Sequence, residues 1–116
     1  MMTGIGIDII EVDRIAQAVH KWGDVFIHHV FTAKEIAYAQ KHRYPNEHFA
    51  ARFAAKEAVL KALDDNSKVQ WKDIEILNDK NGKPICHYKN SRFKRKIFVS
   101  LSHTKKYAIA NVLIMS

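Results

Sequence analysis

Phe49-Ala50-Ala51-Arg52-Phe53-Ala54-Ala55-Lys56-Glu57-Ala58-Val59-Leu60-Lys61-Ala62-Leu63 is the stretch on which the architecture turns. It is rich in alanine and leucine and contains neither glycine nor proline, which predicts helix. Asn46 can cap it, so the helix is expected from Glu47 to about Leu63. Phe53, Glu57 and Lys61 follow one another at four-residue intervals and share one face. Phe49, Phe53 and Leu60 belong to the apolar stripe, which sets Glu57 and Lys61 beside the packed face rather than opposite it.

Upstream of this helix, Thr32 with Glu35 matches a capping box, and a helix is expected from Ala33 towards His42. An earlier one spans about Asp13 to Trp22, with Ile15, Val19 and Trp22 along one side. Before it, Gly4-Ile5-Gly6-Ile7-Asp8-Ile9-Ile10 alternates and predicts a strand whose packed face carries Ile5, Ile7 and Ile9. Glycines beside the aspartate are costly in a strand and point to close approach of another group to the backbone. Downstream the period becomes two. Ile74 and Ile76 alternate in Asp73–Leu77, Asn81-Gly82 is a turn signal, and Pro84–Lys89 returns as a second strand. Ile97–Ser102 and Tyr107–Ile114 form another pair, joined through His103-Thr104-Lys105-Lys106. One strand, three helices and then four strands give an α+β fold with a mainly antiparallel sheet. Pro45 and Pro84 both fall near expected boundaries.

The 116 residues suit one domain, residues 1–116, and 47% hydrophobic content supports a real core. Cys86 is the only cysteine, which rules out an internal disulfide and a cysteine-rich zinc site and fits a reducing cytoplasm. The first residues do not read as a signal peptide, and the apolar runs are too short to cross a bilayer. A cytoplasmic protein without membrane attachment is expected. Nineteen Lys and Arg against twelve Asp and Glu leave a net charge of +7, a surface that attracts polyanions of several kinds.

Three segments carry chemistry. Glu57 and Lys61 can form an ordinary i,i+4 ion pair, worth only about 0.2–0.5 kcal/mol. Asp8, on a glycine-flanked strand, offers either a turn-capping carboxylate or, brought near Glu57, half of an oxygen site for Mg²⁺. Lys56, Lys61 and Arg52 are cations able to neutralise phosphate there. In Ser100-Leu101-Ser102-His103-Thr104-Lys105-Lys106, His103 is either a turn residue or a phosphate-binding or acid–base group. Gly-rich phosphate loops, dinucleotide fingerprints and a nucleophile elbow are all missing from the sequence.

Taken together, Gly4–Ile9 with Arg14, Arg52–Ala58 with Lys61-Ala62, and Ser102-His103-Thr104 resemble the holo-acyl-carrier-protein synthase family of 4′-phosphopantetheinyl transferases. Asn81-Gly82-Lys83-Pro84 is similar to that family's hairpin before the last strands. The resemblance implies transfer of phosphopantetheine from coenzyme A to a serine of an apo-acyl carrier protein, with release of 3′,5′-ADP, as in fatty acid biosynthesis. It implies a homotrimer with sites between subunits. Asp8 and Glu57 would hold Mg²⁺, and Lys61, Arg52, His103 and Thr104 would meet coenzyme A, with Gly82, Lys83 and Pro84 at its nucleotide end. By the same resemblance Asp8, Glu57 and Lys61 carry the catalysis, and Arg14 and Lys21 face the acidic carrier protein. The base for the serine is either Glu57 or a water on the metal.

Two other classes fit parts of the sequence. Arg92-Phe93-Lys94-Arg95-Lys96 suggests a nucleic-acid binder but has a single aromatic and no stacking platform, so no nucleic-acid partner is expected. A Mg²⁺-dependent phosphohydrolase could use the same Asp8 and Glu57 without a protein acceptor.

Overall fold

The computed structural model describes residues 1–63 and 68–116. Its elements are β1 (Met2–Glu11), α1 (Val12–Trp22), α2 (Asp24–Val30), α3 (Ala33–Gln40), α4 (Pro45–Ala62), a 3₁₀ turn (Trp71–Asp73), β2 (Ile74–Asn78), β3 (Pro84–Tyr88), β4 (Lys96–His103) and β5 (Tyr107–Met115). The strands form two antiparallel sheets, β1-β5-β4 and the hairpin β2-β3. The fold is α+β in the expected order, with α2 as an addition. Gly23, at φ 54°, separates α1 from α2 in a conformation that glycine adopts easily.

The long helix starts earlier than its sequence suggested. Pro45 occupies the first turn, Tyr44 is the cap residue, and Asn46 lies inside the helix instead of capping it. Proline suits that position because its missing N–H is one the helix cannot use there. The capping box at α3 is present, Thr32 accepting from the Glu35 backbone and Glu35 accepting from the Thr32 backbone.

α4 is the axis of the molecule. Ala50, Ala51, Ala54, Ala55, Ala58 and Val59 are all buried, and small side chains let neighbours close in from several directions. Its N-terminal half packs with Ile15, Ile27, Phe31 and Ile36, and its C-terminal half with Ile74, Ile76, Ala110, Val112 and Ile114. Against β1 the contact is backbone on backbone. A Cβ built on Gly4 would lie 2.2 Å from the Ala62 carbonyl oxygen, and one on Gly6 would lie 1.9 Å from that of Ala58.

This contact overturns the expected facing of β1. The glycine side packs on α4, whereas Ile5, Ile7 and Ile9 are exposed by 60%, 58% and 63%. Isoleucine side chains on the α4 side would hold that helix off the strand, so the small residues face inwards and the bulky ones outwards. The pairings Ile5 with Leu113, Ile9 with Ile109, and Phe98 with Leu113 extend an outward apolar face across β1, β5 and β4.

Lys56 and Glu35 form a fully buried ion pair, 2.7 Å apart, between α4 and α3. Lys56 Nζ also donates to the Val30 and Trp71 carbonyls at 2.7 and 3.1 Å, and Glu35 Oε2 accepts from the Ile76 backbone at 2.7 Å. The Lys56 ammonium and the Glu35 carboxylate are thereby both satisfied, joining α2, α3, α4 and β2. Lys56 therefore serves packing and does not reach a phosphate.

Candidate functional site

Asp8 leaves β1 on the side that faces α4, two residues beyond Gly6. Glu57 and Lys61 project from the last turns of α4, next to the backbone groups that the glycines admit. Lys61 donates to Asp8 Oδ1 at 3.2 Å and to the Ile7 carbonyl at 3.0 Å. Its partner is thus the strand carboxylate. Burial raises the Glu57 carboxyl above its ordinary value, the nearby negative charge of Asp8 raises it further, and Lys61 opposes both. Two carboxylates lining one recess, with the Lys61 ammonium on Asp8, form a hard-oxygen donor set suited to Mg²⁺, which takes few protein ligands and leaves positions for phosphate and water. Among the described residues no three His, Cys, Asp or Glu side chains gather as a metal site.

Asp8 and Glu57 line a recess of about 390 Å³ together with Arg14, Ile15, Phe26 and Phe53. A cation at its mouth, an apolar wall and paired carboxylates suit a long substrate with an anionic group and an aliphatic arm. Lys21 lies elsewhere on α1, beside Gln17 and His20 and over the Trp22 ring at 5.0 Å. Trp22 is 57% exposed, so the side expected to pack runs only through Ile15 and Val19.

The remaining candidates stand apart from this centre within the single chain. Arg52 is only 2% exposed and sits over the Tyr38 ring at 4.0 Å. It donates to the Asn78 side-chain carbonyl, while its Nε has no hydrogen-bond partner among the described residues. Burial pulls the Arg52 guanidinium below its usual value, and Tyr38 partly restores it. Asn78 in turn donates to the Gly82 carbonyl at 2.8 Å, which links Arg52 to the β2–β3 turn. In that turn Asp79 Oδ1 accepts from the Asn81 and Lys83 backbone, and Gly82 adopts φ 84°. Lys83 and Pro84 line another recess, of about 350 Å³, with Phe98 and Leu113 of the outward sheet face.

His103, at the end of β4, meets the start of α4, its Nδ1 lying 3.2 Å from Glu47 Oε1. The Thr104 hydroxyl accepts from the Lys106 and Tyr107 backbone, both at 3.1 Å, and closes the β4–β5 turn. Sequence reasoning missed what lies behind His103. Rings of Tyr38, His42 and His48 stack towards it, with His42 to His48 at 3.9 Å and His48 to His103 at 5.1 Å between centroids. The signal was present as Tyr38, His42 and His48, but these are spread over α3, the α3–α4 connection and α4, and no common spacing joins all three. The lone thiol, Cys86, is pushed up to about 12 by burial and is chemically quiet.

Comparison with known proteins agrees with this geometry. A family model described as the 4′-phosphopantetheinyl transferase superfamily matches residues 4–112. A holo-[acyl-carrier-protein] synthase of Thermodesulfovibrio yellowstonii is 46% identical over 114 residues, covering 98% of this chain and 99% of the relative. The crystal structure of a Bacillus anthracis holo-(acyl-carrier-protein) synthase in complex with CoA (3′,5′-ADP) superposes with a TM-score of 0.86 at 38% identity, covering 100% and 98% of the two chains. A Helicobacter pylori holo-[acyl-carrier-protein] synthase in complex with coenzyme A gives a TM-score of 0.84 at 28% identity, covering 95% and 98%. With a glycine-faced strand holding Asp8 against Glu57 and Lys61 of the central helix, and with these full-length matches, the chain belongs to the 4′-phosphopantetheinyl transferase superfamily, in its holo-[acyl-carrier-protein] synthase branch.

Proposed function

We propose that this chain, acting as one domain over residues 1–116, transfers 4′-phosphopantetheine from coenzyme A to a serine of an acidic apo-acyl carrier protein and releases 3′,5′-ADP. The observation that carries the proposal is the convergence of Asp8 and Glu57 on one recess beside Arg14, with Lys61 bonded to Asp8. Asp8 and Glu57 would hold Mg²⁺, which supplies neutralisation of the diphosphate charge when bound. Lys61, held by Asp8 and the Ile7 carbonyl, would offer its ammonium to the phosphate oxygens. Phe26, Phe53 and Ile15 offer an apolar wall to the pantetheine arm. Positioning and charge neutralisation are what transfer of this kind chiefly requires. The direct test follows 3′,5′-ADP release from coenzyme A and Mg²⁺ with and without apo-carrier. Release only with carrier supports transfer, and equal release without it supports the phosphohydrolase reading.

The outward apolar face of Ile5, Ile7, Ile9, Phe98, Tyr107 and Ile109 supports a homotrimer. A hydrophobic sheet face of this extent is unfavourable in water and is well suited to burial against copies of itself. Within one chain Lys83 and Pro84 line a different recess from Asp8 and Glu57, which fits a coenzyme A site completed by a neighbouring subunit. The number three comes from the family resemblance. Light scattering is expected to give three chains' mass for the parent protein and a lower mass for Ile7→Lys. A single-chain parent would remove the trimer from the account.

Arg14 borders the recess, and Lys21 continues the basic α1 surface on which the acidic carrier would dock. Opposite charge speeds encounter and salt weakens it. Arg14→Glu is expected to raise the KM for carrier by about 10-fold or more, with the KM for coenzyme A changed by less than about 3-fold. Added NaCl should raise the parent's carrier KM in the same direction. Steady-state kinetics with each substrate varied in turn measures both, and an unchanged carrier KM would place docking elsewhere.

A further inference from the structure

His103 ends a strand just before a turn, and its side chain remains 32% exposed. Left alone, an imidazole in such a position would sample several rotamers. Two neighbours restrain it. Glu47 lies within hydrogen-bond distance of Nδ1, and His48 presents its ring edge-on at 69°. His48 is itself held, against His42 at 3.9 Å and Tyr38 at 5.6 Å, while His42 is tied through Nδ1 to the Tyr38 carbonyl at 2.7 Å. The Arg52 guanidinium also lies over the Tyr38 ring. One cluster of rings from α3, the α3–α4 connection and α4 thus contacts both Arg52 and His103, groups on different elements.

The charge state of the cluster suits this task. Burial first, and then the neighbouring His42, His103 and Arg52, lower the His48 pKa to about 4 against the opposing pull of Glu47. At neutral pH His48 is therefore an uncharged ring. It packs against the His42 and His103 rings as a neutral partner.

We propose that His48, backed by Tyr38 and His42, is a positioning residue that fixes the His103 imidazole for its contact with coenzyme A. The proposal rests on the assignment of His103 to that cofactor. His48 does not touch the cofactor in this account. It acts by reducing the freedom His103 would otherwise lose on binding, so its removal should weaken cofactor capture and leave the transfer step alone.

The test is steady-state kinetics on the full-length protein carrying His48→Ala, His48→Phe, His103→Ala or both alanine changes. His48→Ala should raise the KM for coenzyme A by about 10-fold, with kcat within about 2-fold and carrier KM unchanged. His48→Phe, which keeps a neutral ring in place, should restore the KM to within about 3-fold of the parent. In the His103→Ala background, His48→Ala should add nothing further. Should His48→Ala fail to fold, His48→Leu fills the space without a planar ring and is expected to behave as the alanine variant does. If His103→Ala raises the KM and the His48 variants do not, or if the two effects add independently, the positioning role is overturned. If His103→Ala itself leaves the KM unchanged while transfer continues, the cofactor assignment of His103 falls and the proposal with it.

Discussion

Asp8→Ala and Glu57→Ala are each expected to lower kcat/KM for transfer by about 10²–10³-fold, the scale seen when one preorganised charge-stabilising group is lost. Neither change should unfold the protein. Asp8 and Glu57 lie in a recess open to solvent, and neither belongs to the two core clusters. Asp8→Ala also removes the partner of Lys61, whose ammonium would keep only the Ile7 carbonyl as an anchor. The two variants should consequently differ. Excess Mg²⁺ should recover part of the activity of Glu57→Ala and less of that of Asp8→Ala. Thermal melts beside Mg²⁺ titrations of the rate decide the matter, and near-parent turnover by either variant at ordinary Mg²⁺ would dissolve the proposed site.

Gly6→Ala should be the most damaging small substitution in the chain. The new methyl would stand 1.9 Å from the Ala58 carbonyl oxygen and 2.9 Å from its carbon, both backbone atoms of α4. No rotamer change relieves such a clash, so strand and helix must separate, at a cost of ~3 kcal/mol. That corresponds to a fall in Tm of roughly 10–20 °C for a domain of this size. Because Glu57 sits one residue from Ala58, the same displacement should also widen the Asp8–Glu57 recess and lower activity below the melting range. Gly82→Ala is the comparison. Its Cβ would meet nothing, and only the positive φ of 84° is unfavourable, so about 1 kcal/mol is expected. Equal Tm values for the two variants, read from melts under identical conditions, would contradict the close approach of α4 to β1.

Most of the architecture was legible because helix propensity, the Thr32–Glu35 box and the change of period after α4 are local signals. The pairing of Asp8 with Glu57 was legible only through the resemblance, since no spacing links residues on elements so far apart in sequence. The facing of β1 was misjudged for a physical reason. Alternating Ile5, Ile7 and Ile9 look like a packed face, yet the partner is a helix backbone that only Gly4 and Gly6 can admit, and the isoleucines face outwards. The helix α2 escaped notice because it is a single short segment started by Gly23. Lys56 looked like a phosphate ligand because a single sequence does not disclose Glu35 waiting for it in the core. The imidazole cluster was hidden for the same reason, its members meeting only once α3, α4 and β4 pack together.

The central claim is that this chain moves phosphopantetheine onto a protein, and the mass of the acceptor tests it most directly. Purified protein is incubated with coenzyme A, Mg²⁺ and an apo-acyl carrier protein, and the carrier is weighed intact and then fragmented. A carrier heavier by one phosphopantetheine on a single serine is expected, with no gain when coenzyme A is omitted and greatly slowed gain with Asp8→Ala. A carrier of unchanged mass, under conditions where the protein is folded and Mg²⁺ is present, would contradict it.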